Sequence, residues 1–269
     1  MSDLSGKVAV VTGGGGILCS AMGKALAGRG ATVAVLDLDP EAAQRVVDQI
    51  AAAGGKAMAA QADVLRRESL QQAAETIHRR CGPVDILVNG AGGNKPEATA
   101  GGEMSFFDIP ADAIQWVFNL NCLGTILASQ VFVRDMVRKK EGVVVNIASM
   151  SGIRPLTRVV SYSAAKAAVA NFTQWLAVHL AQEYSPRIRV NAIAPGFFLT
   201  AQNEYLLIDR QTQKPTPRGE TILAHTPAGR YGCPEDLLGT LLWLVGDESA
   251  FVSGTIIPVD GGFAAFSGV

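Results

Sequence analysis

Residues 11–27 read VTGGGGILCSAMGKALA. The apolar run KVAVVTG leads into this stretch and SAMGKALAGRG, a helical pattern stopped by glycine, leaves it, so the four glycines mark a turn from a strand into a helix. Such a turn can set backbone N–H groups and the positive end of a helix against a pyrophosphate. Read as TGxxxGxG, it keeps Gly13 but carries Ile17 and Cys19 where the other two glycines would stand. Gly14, Gly15 and Gly16 leave the turn free to shift by a residue. Cys19 is small enough for close helix–strand contact, whereas β-branched Ile17 resists a positive φ. The stretch fits either a nucleotide cradle, with Gly13, Gly16, Ile17 and Leu18 facing phosphate, or a flexible structural loop.

Outward from this turn, apolar runs alternate with longer helical patterns. ATVAVLDLD, KAMAAQAD, VDILVNGAG, GVVVNIAS, IRVNAIAPG and GTIIPVDGG read as further strands, separated by helices such as PEAAQRVVDQIAAAGG and SAAKAAVANFTQWLAVHLAQEY. Strands apolar on both faces imply a parallel sheet covered on both sides. With right-handed crossovers the expected class is α/β, a Rossmann-like doubly wound parallel sheet in a single domain spanning 1–269. Residues 197–230 depart from the alternation, and a loop that long reads as a substrate-binding lid.

Composition narrows the function. The chain has 269 residues, 48% hydrophobic and 17% charged, with a formal net charge of −1. That balance gives no electrostatic reason to expect nucleic acid or an anionic membrane as partner. No uninterrupted apolar run reaches the length of a membrane span, and MSDLSGKVAVV lacks a signal-peptide layout. Cys19, Cys81, Cys122 and Cys233 are scattered, as are His78, His179 and His225, so no metal site is expected and a reducing cytoplasm fits best.

Polar residues then gather at the strand ends. Asp37 closes the second strand, 24 residues after Gly13, where a carboxylate can accept hydrogen bonds from adenosine ribose hydroxyls. Its charge would repel a 2′-phosphate, which favours NAD over NADP. Asp63 and Val64 follow the third strand, and Asn89, Gly90 and Ala91 end the fourth, on the same carboxyl edge; a structural turn explains Asn89-Gly90 equally well. Tyr162 and Lys166 stand at i and i+4 and share a helix face. Ser149 lies thirteen residues earlier at a strand end, and Asn121 falls within a helical stretch.

Taken together, the TG turn, Asp37, Asp63-Val64, the NGAG run, Asn121, Ser149, Tyr162-x-x-x-Lys166, Pro195-Gly196, Thr200 and VDGGF resemble the short-chain dehydrogenase/reductase family almost end to end. The resemblance implies hydride transfer with a nicotinamide cofactor. It makes Tyr162 the general acid or base, with a Lys166 ammonium lowering its pKa and holding the nicotinamide ribose. Ser149 would bond the reacting oxygen and Asn121 would anchor a relay water. Pro195, Gly196 and Thr200 would join the cofactor residues, and a homotetramer is the family's usual assembly.

Several segments, among them NGAGGNKPEAT and NAIAPGFFLTAQNEYLL, resemble more narrowly the D-mannonate oxidoreductase (fructuronate reductase) group. The implied substrate is a sugar acid, D-fructuronate or D-mannonate, with Asn94, Lys95, Met150, Arg158 and Gln202 as candidate contacts and Arg154, Arg230 and Asn203 nearby. Other alcohols (gluconate, deoxygluconate, a polyol, a steroid or an acyl thioester) and a non-catalytic nucleotide-sensing role remain alternatives.

Overall fold

The computed structural model describes residues 3–101, 104–200, 204–209 and 211–268. Seven strands form one parallel sheet: β1 (Val8–Thr12), β2 (Thr32–Asp37), β3 (Lys56–Gln61), β4 (Ile86–Asn89), β5 (Gly142–Ile147), β6 (Ile188–Pro195) and β7 (Ile256–Val259). Their spatial order is β3-β2-β1-β4-β5-β6-β7. The chain therefore winds one way from β1 to β3 and the other way from β4 onward. The crevice between the carboxyl ends of β1 and β4 is where such sheets bind ligands.

Alternation along each strand builds a core on both faces. Val8 and Val10 turn to the side covered by α3 (Arg67–Cys81), α5 (Gly124–Lys139) and α6 (Val160–Glu183), where Leu70, Ile77, Phe132, Met136 and Leu180 are buried. Ala9 and Val11 turn to the side covered by α1 (Ile17–Ala27), α2 (Pro40–Ala52) and α9 (Leu238–Val245), against Met22, Leu26, Ile50 and Leu241. The central strands β1 and β4 are buried on both faces, whereas the edge strands β3 and β7 are partly exposed.

Two expectations need correction. The helical stretch beginning at residue 111 is not one regular helix: α4 (Ala111–Phe118) passes through a π-turn at Asn119–Leu123 before α5 begins. Taken together, Ala111–Lys139 is long and apolar enough to cross a membrane by length and composition. Half of its apolar window is packed inside the domain, and it buries Asn121, Thr125, Ser129 and Asp135. Those polar groups mark it as a core helix of this sheet.

Residues 197–230 carry structure of their own. They include α7 (Glu204–Leu207) and α8 (Pro217–Ala224), with Ile208 and Pro215 bridged between the two helices. The segment is anchored at both ends where Phe198 pairs with Gly232.

Candidate active site

Thr12 and Asn89 end β1 and β4 in register with each other. The Thr12 hydroxyl accepts from the backbone N–H groups of Gly90 (3.1 Å) and Ala91 (3.2 Å), tying the two strand ends together. Gly13 follows with φ of +63°, and a Cβ there would stand 2.8 Å from Ala91 Cα. Gly13→Ala should destabilise the fold by about 1–3 kcal/mol, because both the left-handed backbone and the Ala91 contact resist it. Denaturant unfolding would measure that loss, and unchanged stability would mean the turn is looser than this geometry.

The helix α1 begins at Ile17, with Gly16 as its N-cap, no side chain capping it and no acidic residue in its first turn. Ile17 takes no positive φ, which falls on Gly13 instead. The strain expected at a β-branched residue is therefore absent. Cys19 is buried with its sulfur against the Gly90 backbone. Burial pushes its thiol up to about 12, so it packs as a neutral group.

Asp37 reaches back to this turn. Its carboxylate accepts from the Gly15 N–H (2.9 Å) and the Asp39 N–H (3.1 Å), and it stays partly exposed. Asp63 accepts from Leu65 N–H at 2.9 Å, while the Val64 side chain is buried against Gly124. Asn89 differs from its expected role. Its amide nitrogen donates to Ser129 Oγ (3.0 Å) and Asn146 Oδ1 (2.8 Å) within the core, and Asn146 continues to Thr173. Its side-chain nitrogen braces β4, β5 and α5, while its Oδ1 is buried without a partner.

Past Asn89, the loop through Gly93 lies against Asn121 and Lys166; a Cβ on Gly92 would collide with Asn121 Oδ1. Asn121 grips Gly93 twice: its amide donates to the Gly93 carbonyl (2.6 Å) and accepts from the Gly93 N–H (3.1 Å). A further bond to Val117 O (2.8 Å) commits its other amide proton. The water-anchoring role implied by the resemblance thus meets a side chain already holding the loop. The π-turn presents Asn121 there, as such irregularities do at functional sites.

Lys166 is buried, donates to Ile147 O at 2.7 Å, and sits 5.7 Å from the Tyr162 ring centre. The Tyr162 ring packs on Ala98, Ala113 and Val117, and its hydroxyl interacts with that of Ser149. Ser149 Oγ also accepts from Ser151 N–H at 3.2 Å. Burial pushes Tyr162 above the usual phenol range, opposed by the Ser149 interaction. The expected lowering by Lys166 is not what the geometry gives. Burial also drives the Lys166 ammonium down to about 8, so it is a weak cation beside a phenol that is itself desolvated.

The candidate substrate residues divide. Asn94 donates to Thr99 Oγ1 at 2.9 Å and Lys95 lies 5.1 Å over the Trp116 ring. Met150 is buried and offers substrate no surface. Arg230 is held bidentately by Asp236 at 2.6 and 2.8 Å, which removes it as a free cation. Arg158 lines a cavity of 460 Å³ beside Ser151 and Gly152. Gln202 and Asn203 lie outside the described residues. At the end of β6, Gly196 packs on Asp260 so closely that a Cβ would stand 2.6 Å from its Cα, after which Thr200 O accepts from Glu204 N–H at the start of α7.

Residues 7–211 match the short chain dehydrogenase family. An uncharacterised Bacillus subtilis oxidoreductase, UxuB, is 51% identical over 99% of this chain and 98% of its own. The 7α-hydroxysteroid dehydrogenase of Escherichia coli K12 is 33% identical over 96% of this chain and 94% of its own. A crystal structure of a candidate D-mannonate oxidoreductase from Haemophilus influenza, with bound NAD, superposes with a TM-score of 0.93 at 46% identity, covering 99% of this chain and 98% of that one. With its sheet order, its Ser149–Tyr162–Lys166 cluster and these relatives, the chain belongs to the short-chain dehydrogenase/reductase family and is an oxidoreductase acting on alcohol and ketone groups with a nicotinamide cofactor.

Proposed function

We propose that the chain interconverts a ketone and a secondary alcohol on a sugar acid, D-fructuronate and D-mannonate, and uses NAD in preference to NADP. The observation that carries the reaction is the meeting of Ser149, Tyr162 and Lys166 beside the loop that Asn121 holds. The sugar-acid reading draws on the name of the Haemophilus neighbour and on Arg158, which lines the cavity beside Ser151 and pairs with no carboxylate among the described residues.

The residues present fit a dinucleotide. The uncapped α1 terminus offers Ile17 and Leu18 N–H groups to phosphate, with no acidic side chain in that turn to oppose it. Asp37 keeps unused lone pairs for ribose hydroxyls, and its charge disfavours a 2′-phosphate. Backbone from Gly90 to Gly93, together with Asp63, Val64, Pro195, Gly196 and Thr200, completes the cradle. When bound, the nicotinamide supplies hydride for reduction and accepts it in oxidation.

The chain's own groups handle the proton. Ser149 receives the Ser151 N–H on one lone pair, and its hydroxyl proton, directed at Tyr162, turns to the substrate oxygen when that oxygen enters between them. Tyr162 gives its proton to that oxygen in reduction and takes it back in oxidation. Lys166 spends one N–H on Ile147 O and keeps two for a ribose hydroxyl. Residues 197–230 act as the lid of a single-domain enzyme. A homotetramer in the cytoplasm completes the proposal, supported by the exposed apolar side chains Trp116, Leu123, Trp175 and Val178 on the α4–α6 side.

The deciding assay follows NADH oxidation with D-fructuronate, tagaturonate, 5-ketogluconate and neutral ketoses, repeated with NADPH. Turnover with D-fructuronate far above the others, and with NADH, is the expected result. Activity confined to a neutral ketose would remove the sugar acid and keep the reaction.

A further inference from the structure

Through the apolar face of the sheet that meets α3, α5 and α6 runs a line of buried amides and hydroxyls. Asn89 on β4 and Asn146 on β5 stand side by side in register, turned to that face with Leu87 and Val144. The Asn89 amide donates to Asn146 Oδ1 (2.8 Å), Asn146 Nδ2 donates to Thr173 Oγ1 (2.9 Å), and the Thr173 hydroxyl donates to Val169 O (2.8 Å). In the other direction Asn89 donates to Ser129 Oγ (3.0 Å), Ser129 to Thr125 O (2.8 Å) and Thr125 to Asn121 O (2.8 Å). Every residue of the line is buried, and Asn89 Oδ1 is its one side-chain polar atom without a partner.

Apolar side chains of the same size would fill these places without desolvating polar groups, so packing alone does not explain the line. Apolar contacts slide, whereas linked amides and hydroxyls are satisfied in one arrangement only. That arrangement fixes the two halves of the catalytic cluster against each other. Beyond Asn146, β5 delivers the Ile147 carbonyl that holds Lys166 (2.7 Å) and then Ser149. Thr173 lies two turns along α6 from Lys166, on the same face. Strand and helix are thus tied at consecutive strand residues, Asn146 by Thr173 and Ile147 by Lys166. Lys166 has a ribose hydroxyl to serve as well, whereas Thr173, neutral and two turns away, is left to hold the register. At its far end the line reaches Asn121, which grips Gly93.

We propose that Asn146 and Thr173 are positioning residues for the reaction. The line from Asn121 to Thr173 sets Ser149, at the end of β5, against Tyr162 and Lys166 on α6, and both against the loop through Gly93. The proposal rests on the reading of Ser149, Tyr162 and Lys166 as the groups that handle the proton and the ribose.

Thr173→Val keeps the shape and leaves the Asn146 amide unpaired. With D-fructuronate, or with a neutral ketose if that is what the chain reduces, kcat should fall about 10–100-fold, as when reacting groups are misplaced by up to about 1 Å. NADH affinity, read by fluorescence titration, should change far less. Thr173→Ser keeps the hydroxyl and should retain most of kcat. Thr173→Ala leaves room for a water on the Asn146 amide, is milder on the fold, and should lie between the two. Hydrogen exchange on the cofactor-free protein needs no substrate. Thr173→Val should speed exchange in segments 90–93 and 149–152 about tenfold, although neither adjoins Thr173 in the chain, with β1 as the control for global opening. Equal effects of valine and serine, or wild-type kcat and exchange in Thr173→Val, would overturn the brace. Faster exchange everywhere, β1 included, would make Thr173 a stability residue and overturn it too. If Tyr162→Phe kept full turnover while Thr173→Val still opened both segments, the catalytic reading would fall and the brace would stand.

Discussion

Tyr162→Phe should lower ketone reduction about 10²–10⁴-fold in kcat while leaving the fold intact, the range that a positioned general acid contributes. The ring keeps its packing on Ala98, Ala113 and Val117, so the substitution removes one hydroxyl and its interaction with Ser149. Ser149 retains Ser151 N–H, which limits the structural damage. Direction matters as much as size. Because burial holds Tyr162 above the usual phenol range, the hydroxyl is protonated throughout the neutral range in the protein without cofactor. That form is ready to donate in reduction and must first lose its proton to serve as base in oxidation. Alcohol oxidation should therefore climb with pH through the alkaline range, while ketone reduction stays flat until the phenol itself ionises. Steady-state profiles in both directions, with circular dichroism to check the fold, test this. Wild-type turnover by Tyr162→Phe would remove Tyr162 from the chemistry.

The parts of this site that the sequence makes legible are those fixed by local periodicity. Tyr162 and Lys166 share a face because a helix repeats every 3.6 residues, and strands buried on both sides announce themselves as unbroken apolar runs. What stays hidden depends on partners distant in the chain. Thr12 joins the site only because β1 and β4 end level with each other, which brings its hydroxyl to residues 90 and 91. Asn89 looks like a loop residue until Ser129 and Asn146 meet it in the core. The π-turn at Asn121 leaves the apolar pattern almost unchanged, so a single helix is the natural reading there. Ile17 misleads for a different reason: four consecutive glycines let the positive φ fall on Gly13, and the helix starts at the residue that looked strained. Arg230 could have been discounted from sequence, since Asp236 lies six residues away across a tight turn.

Lys166→Met should abolish turnover and yet make the cofactor-free protein more stable at pH 7. Burial lowers the Lys166 ammonium from 10.5 to about 8, so the folded state holds this proton less tightly than the unfolded chain. Below pH 8 both states are charged, and the fold bears the full desolvation penalty, about 3 kcal/mol from a shift of this size. Between pH 8 and 10.5 the folded state sheds the proton while the unfolded chain keeps it, so wild-type stability rises with pH across that window. Methionine fills similar space with no charge to desolvate. It forfeits the bond to Ile147 O, worth about 1 kcal/mol net. At pH 7 the variant should therefore unfold with a ΔG about 1–2 kcal/mol larger, raising Tm by a few degrees. The advantage should shrink as pH approaches 10 and then reverse, leaving only the lost hydrogen bond. Urea unfolding at pH 7 and near pH 10 reads both arms. A variant less stable than wild type at pH 7 would mean that the Ile147 bond outweighs the buried charge. A gain in stability with turnover gone would identify Lys166 as a charge that the fold tolerates at a cost in stability for the sake of activity.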